Sequence, residues 1–405
     1  MRIQFVLICL AALATGACSS VSPVTPLMQN VNGFTSLDAA LKNVVDAGVT
    51  PGLVVTVVKA DEVVYASAIG AANDENSRSP TKASGLNLWS ISKVFTQLTV
   101  LQLAAEGKLD LDAPVCAYTH WLSSHLCMGA EDVPQRSIRS LLNHSAGIPD
   151  VGFALYAETQ YSGDEIPSQR VLANQLLPPM KKWSEPGEIS NYSNSHYLLL
   201  GAIVEEVTAR SLSDVVRDQV LLPAGLSASG YRHDAEELIM QGSHPVDFTS
   251  LLAFRFVDKK RAVQNRLDGR YWFNPVYNAA LGSTGVVSTG EDMGRFMSAM
   301  LACLRGEFGP FSKSVCEEIV DAQALTVGKS PARGVEGLAQ KVGWFVLREE
   351  SGGLSYSHGG SGMGYTSMLQ LFPERNLGVF VVSNDTYFDR RGGLAVASKV
   401  ASVDW

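Results

Sequence analysis

Apolar residues recur at helical spacing just after residue 35, where Leu37, Ala40, Leu41, Val44 and Val45 follow a hydroxyl cap at Thr35 or Ser36 and precede Gly48. That spacing predicts a helix. The period then changes. Leu53 to Val58 and Val63 to Ala68 are β-branched runs around the polar Lys59-Ala60-Asp61-Glu62, which predicts a β-hairpin. Near the other end, Val342 to Leu347, Leu354 to Ser357, Thr366 to Phe372 and Leu377 to Ser383 predict four more strands, the last two joined at Pro373-Glu374-Arg375-Asn376. A short helix from Gly393 closes the chain. Residues 89–335 lie between and read as helix and loop, without a comparable cluster of strands. The expected architecture is a sheet lobe drawn from both ends (about 34–88 and 336–405) with a helical lobe (about 89–335) inserted. The cleft between lobes is the usual place for a binding site.

The first residues carry a different signal. Arg2, the apolar stretch Ile3 to Leu13 and the small residues Thr15-Gly16-Ala17 before Cys18 have the order of a cleaved export signal covering residues 1–17. With Ser19-Ser20 behind it, Cys18 resembles the lipidated cysteine of a bacterial lipobox, and residues 18–33 then form a tether. Plain cleavage leaving a soluble periplasmic protein is the alternative. Either way the expected location is the periplasm, with membrane attachment through a lipid anchor in the first case. No other apolar run reaches the ~20 residues that span a bilayer.

Composition narrows the choices. With 405 residues, 46% of them hydrophobic, the chain can bury a large core. Its net charge of −8 and lack of a dense Lys/Arg stripe exclude nucleic acid as a partner. Besides Cys9 and Cys18, the cysteines fall in two close pairs, Cys116 with Cys127 and Cys303 with Cys316. An oxidising compartment lets short loops of this kind close as local disulfides. No CxxC or HxxxH spacing supports a metal, and no cofactor is expected.

Three short motifs carry candidate chemistry. Ser90-Ile91-Ser92-Lys93 opens an apolar helical run that ends at Gly107, so the hydroxyl and the amine share one helix face. An amine one turn from a serine at a helix N-terminus can help to deprotonate it. A second SxxK, Ser79-Pro80-Thr81-Lys82, lies in a polar stretch with no buried helix behind it. Tyr192-Ser193-Asn194 follows Glu185-Pro186-Gly187 and leads into the apolar run Tyr197 to Val204, which places a phenol and an amide at a loop tip. His358-Gly359-Gly360 ends a predicted strand and precedes Ser361. Glycines there let a substrate approach the backbone, and the Ser361 N–H could pair with that of Ser90 as an oxyanion hole.

Taken in this order, the three motifs resemble those of the serine β-lactamase and penicillin-binding-protein superfamily, in the branch of class C β-lactamases, D,D-peptidases and related esterases. Leu141 to Pro149, with His144 as a structural member, and Leu281 to Thr289 extend the likeness. The resemblance implies an α+β, β-lactamase/transpeptidase-like fold, an antiparallel sheet flanked by helices beside an all-helical lobe. It also implies an acyl-enzyme on Ser90, with Lys93 and Tyr192 moving protons and Asn194, His358, Gly360 and Ser361 holding substrate. The substrate would be a small molecule or a peptidoglycan-derived D,D-peptide, a β-lactam or a small ester. A tethered protein that acylates but barely deacylates is the alternative. The family's Lys-Thr-Gly is absent, and His358 stands in its place. Carboxylate recognition should therefore weaken, and should strengthen as pH falls through an ordinary histidine pKa of ~6.5.

Overall fold

The computed structural model describes residues 24–405 except 30, 32, 76–77, 123–135, 153, 155–157, 178–183, 188, 234, 249, 251–253, 255–256, 330–336, 351 and 389–391. Its principal sheet has nine strands: β1 (Gly52–Lys59), β2 (Glu62–Gly70), β3 (Ile189–Asn191), β4 (Leu325–Lys329), β5 (Ala339–Lys341), β6 (Trp344–Arg348), β7 (Leu354–Gly362), β8 (Tyr365–Phe372) and β9 (Leu377–Ser383). In space they run β2-β1-β9-β8-β7-β6-β5-β4-β3. Every pairing is antiparallel except β4 with β3.

Both faces of the sheet centre are covered, which is why β1 is a continuous apolar run rather than an alternating one. Leu53, Val55 and Val57 pack with helix α1 (Phe34–Asp46) and the closing helix (Gly393–Ala401) in one core layer. Val54 and Val58 point the other way, into the larger core around helix α2 (Ser92–Ala105). That helix is buried nearly all round, polar Ser92, Lys93, Thr96, Gln97 and Thr99 included, as befits one enclosed by other elements. Phe95 stacks on Phe296 of helix Gly290–Leu304 at 4.7 Å.

Several expectations need correcting. The middle of the chain is not free of strands: β3 and β4 add to the principal sheet, and 243–245, 263–267 and 270–273 form a small sheet of their own. These strands are short, and Gln264 to Leu267 are exposed, so no apolar period marks them. The strand expected at Val342 begins at Trp344, because Val342 (φ 38°) and Gly343 (φ 81°) make the turn from β5. β7 continues beyond Ser357 to Gly362 and so includes the glycine motif. The described residues of 24–33 are not simply a tether. Val24, Met28 and Val31 are buried against α1 and the closing helix, and hydrophobic burial draws this stretch onto the body. Cys18 lies outside the described residues.

Cys303 and Cys316 form a disulfide across 13 residues, joining helix Gly290–Leu304 to helix Lys313–Asp321. Cys116 is also disulfide-bonded, and its expected partner Cys127 lies outside the described residues. Closing a loop of this size restricts the unfolded chain by about 3 kcal/mol. Replacing both Cys303 and Cys316 by Ala should therefore lower the unfolding free energy by about that amount in urea titrations. An unchanged midpoint would show that the bond adds no stability.

Candidate active site

Ser90 sits in a single 3₁₀ turn, Trp89–Ile91, that feeds directly into α2. The turn is held from outside. The Leu88 N–H donates to Val286 O (2.9 Å), the Val286 N–H donates to Ser92 Oγ (2.9 Å), and Ser367 Oγ on β8 donates to Leu88 O (2.8 Å). Trp89 adopts φ 49°, a left-handed conformation rare for a bulky residue. Its ring is buried with Tyr161, Phe273, Met363 and Tyr365. Such strain costs on the order of 1–3 kcal/mol, and packing of the indole helps to offset it while the next residue, Ser90, stays partly exposed.

Lys93 is fully buried one turn along. Its Nζ lies 3.2 Å from Ser90 Oγ, 2.8 Å from Asn194 Oδ1 and 2.9 Å from Ser283 O. Desolvation pulls its pKa down to about 7, against the opposing pull of the Asp150 charge. All three contacts are to oxygens. Asn194 Oδ1 and Ser283 O only accept, so they take two N–H groups in either protonation state; the third position, at Ser90 Oγ, is an N–H donor in the ammonium and becomes the lone pair once the amine is neutral.

Tyr192 reaches the same hydroxyl from the other side. It follows β3, whose pairing with β4 fixes where the loop tip emerges. Its phenol hydrogen-bonds the Ser90 side chain, and its ring lies 4.9 Å from Lys93 Nζ and 6.0 Å from the Phe345 ring. Burial raises the phenol pKa, outweighing the Ser90 hydrogen bond, so Tyr192 is protonated across the neutral range. Asn194 is the first residue of helix α3 (Asn194–Thr208).

The glycine motif closes the site. β6 pairs with β7 only from Leu354 to Ser357, so the β6-side edge of residues 358–362 has no partner among the described strands. Gly360 lies against the Ser90 turn: a Cβ there would meet Leu88 O at 2.1 Å and stand 3.1 Å from Ser90 N. Only glycine permits that approach. Ser361 beside it is exposed, and its Oγ donates to Thr386 O (3.3 Å).

His358 departs from expectation. It is 1% exposed, packed against Phe345 and Tyr192, with Nδ1 2.8 Å from Gly359 O. A carbonyl only accepts, so Nδ1 carries the proton and Nε2 is a bare acceptor, buried without a hydrogen-bond partner among the described residues. Burial, then the nearby Lys93 charge, pushes its pKa down to about 3. The protonation expected near pH 6.5 therefore does not occur: charging this ring would place an uncompensated cation beside Lys93.

The structure thus brings together Ser90, Lys93, Tyr192, Asn194 and the 358–361 strand. Ser79 and Lys82 lie elsewhere, Lys82 pairing with Glu291 (3.2 Å). His144 is buried beneath the site, its Nδ1 3.2 Å from His196 and accepting from the Ser193 N–H. Sequence reasoning missed Ser283, whose contribution is a backbone carbonyl, and Asp150, which no motif flagged.

A family model described as Beta-lactamase matches residues 37–401. The Staphylococcus aureus (strain NCTC 8325 / PS 47) protein named Protein flp is 23% identical over 361 residues, covering 86% of this chain. The chain spans 62% of the length of that relative. Among solved structures, the octameric penicillin-binding protein homologue from Pyrococcus abyssi superposes with a TM-score of 0.70 at 23% identity, covering 91% of this chain and 78% of that one. D-amino acid amidase from Ochrobactrum anthropi SV3 gives 0.70 at 19% identity, covering 91% and 98%.

Substituting Gly360→Ala should push β7 away from the Ser90 turn. Covalent labelling of Ser90 is expected to slow by ~10² to 10³, the usual cost of a lost oxyanion donor, while the fold is retained by circular dichroism. Labelling at the normal rate would show that β7 does not serve the serine.

Proposed function

The chain belongs to the beta-lactamase family, and on that premise we propose that it is a serine hydrolase that acylates Ser90. The observation that carries this reading is the Lys93 amine, buried, brought to about 7, and aimed at the Ser90 hydroxyl. Neutral Lys93 takes the serine proton as Oγ attacks a substrate carbonyl. The resulting oxyanion lies between the Ser90 and Ser361 N–H groups. As the carbon–leaving-group bond breaks, the proton passes from Lys93, by way of the Tyr192 hydroxyl, to the departing nitrogen or oxygen. Water then adds to the acyl carbon and releases the acid, with the proton returned to Ser90. The Asn194 side chain, its oxygen committed to Lys93, keeps its N–H₂ for the substrate.

The buried, neutral His358 supports acyl donors that are not recognised through a carboxylate. A bare Nε2 cannot donate to an anion. Amides and esters are the substrate class this favours, and the amidase among the structural neighbours is in keeping with it. Export belongs to the same reading, through cleavage ahead of a lipidated Cys18 in the periplasm. The sheet lobe and the helical lobe act as one catalytic unit.

Intact-mass measurement after exposure to penicillin or a p-nitrophenyl ester should show a Ser90 adduct that turns over, abolished in Ser90→Ala and retained in Ser79→Ala. An adduct in Ser90→Ala would assign the wrong serine, and a persistent wild-type adduct would favour a binding protein over a hydrolase. Acylation should fall as pH drops through about 7, where Lys93 gains its proton. For matched substrates ending in a carboxylate or a carboxamide, the ratio of kcat/KM should stay flat between pH 5 and 8. A rise for the carboxylate at low pH would mean that His358 titrates.

A further inference from the structure

Asp150 lies at the rim of the site, in a segment attached to α3 by a row of hydrogen bonds. The Ile148 N–H donates to His196 Nε2 (3.3 Å), Ser195 Oγ donates to Pro149 O (2.5 Å), and the Val151 N–H donates to Ser195 Oγ (3.0 Å). Between these bonds the Asp150 carboxylate accepts from the Asn194 N–H at 2.8 Å. Asn194 in turn accepts from Lys93 at 2.8 Å. One continuous path therefore runs from an exposed carboxylate, through a single residue, to the buried amine. A negative charge at the N-terminus of α3, a 15-residue helix, also complements the helix dipole.

The other groups around Lys93 do not supply this charge. The Tyr192 ring stands at 4.9 Å and the Tyr197 ring at 5.9 Å, both phenols neutral because burial raises their pKa values. His144, from the segment beneath, and His358, from β7, feel Lys93 as a like charge and are themselves held neutral by burial. Ser283 and Asn194 offer only dipoles. Asp150 is the carboxylate that acts on Lys93, raising its affinity for a proton against desolvation.

We propose that Asp150 is a positioning residue: it clamps Asn194 onto the Lys93 amine and supplies the counter-charge for the ammonium formed when Lys93 takes the Ser90 proton. This rests on Lys93 being the base, as above. Without the carboxylate, the ammonium would form in a desolvated pocket with nothing but dipoles to meet it.

Asp150→Asn tests the charge separately from the clamp, because an amide oxygen still accepts from the Asn194 N–H. The pH dependence of Ser90 acylation should show its acid limb moved to lower pH, with a several-fold lower plateau. An acid limb at the wild-type position would overturn the proposal, whatever happens to the plateau, since a purely structural residue changes rate or stability without moving the limb. Titration of the Lys93 side chain by ¹⁵N NMR in wild type and Asp150→Asn gives a readout that needs no substrate. A lower midpoint in the variant is expected, and equal midpoints would refute the proposal. Absence of any acylation in wild type, with the NMR shift present, would reject the hydrolase reading and leave the Asp150–Lys93 coupling standing.

Discussion

Burial of one primary amine is the constraint on which the rest of the site depends. An exposed lysine would titrate near 10.5 and hold its proton at neutral pH, whereas Lys93, enclosed in α2, is brought to about 7. Free energy is lost in doing so. In the unfolded chain the amine is charged throughout the neutral range, so a drop from 10.5 to about 7 costs roughly 4 kcal/mol of stability at neutral pH. The penalty is complete below about 7 and is released as pH rises toward 10.5. Continuous packing of α2 on both core-facing sides offsets it. The strained Trp89 backbone is a second local cost beside Ser90, and the two costs sit four residues apart on a turn and helix start that both β8 and the 282–288 segment hydrogen-bond.

The buried histidines follow from the same physics. His144, His196 and His358 are all buried and each is held neutral by desolvation first; after it, mutual repulsion with His196 and the Lys93 charge act on His144, Arg136 acts on His196, and Lys93 acts on His358. In the proposed reaction, a region that tolerates only one proton-exchanging group near neutrality leaves that task to Lys93. Tyr192, neutral and bonded to Ser90, is proposed there to pass on a proton rather than to act as a base.

Much of this was legible in the sequence, for a local reason. Ser90 and Lys93 are three residues apart on a helix, and Tyr192 and Asn194 are two apart at a helix start, so each spacing implies its geometry. The hairpin β1–β2 and the last two strands of the chain are long apolar runs with clear turns. What was hidden depends on distant partners. β3 is three residues, Ile-Ser-Asn, too short to show any period, and becomes a strand only because β4 arrives beside it. Asp150 adjoins the Leu141 to Pro149 stretch, yet its role comes from Asn194, 44 positions away. The neutrality of His358 could not be read from its neighbours, because Phe345 and Lys93 reach it through the fold.

The pairing of β3 with β4 has a mechanical consequence. The phenol comes directly after the outermost strand of a sheet whose central strands carry the glycine edge, while the serine and lysine sit on a turn and the helix it leads into, pressed against that sheet. A rigid-body opening of one lobe from the other would have to unzip a β-ladder before it could widen the cleft. The ladder therefore ties the position of the phenol to the sheet that also carries the glycine edge.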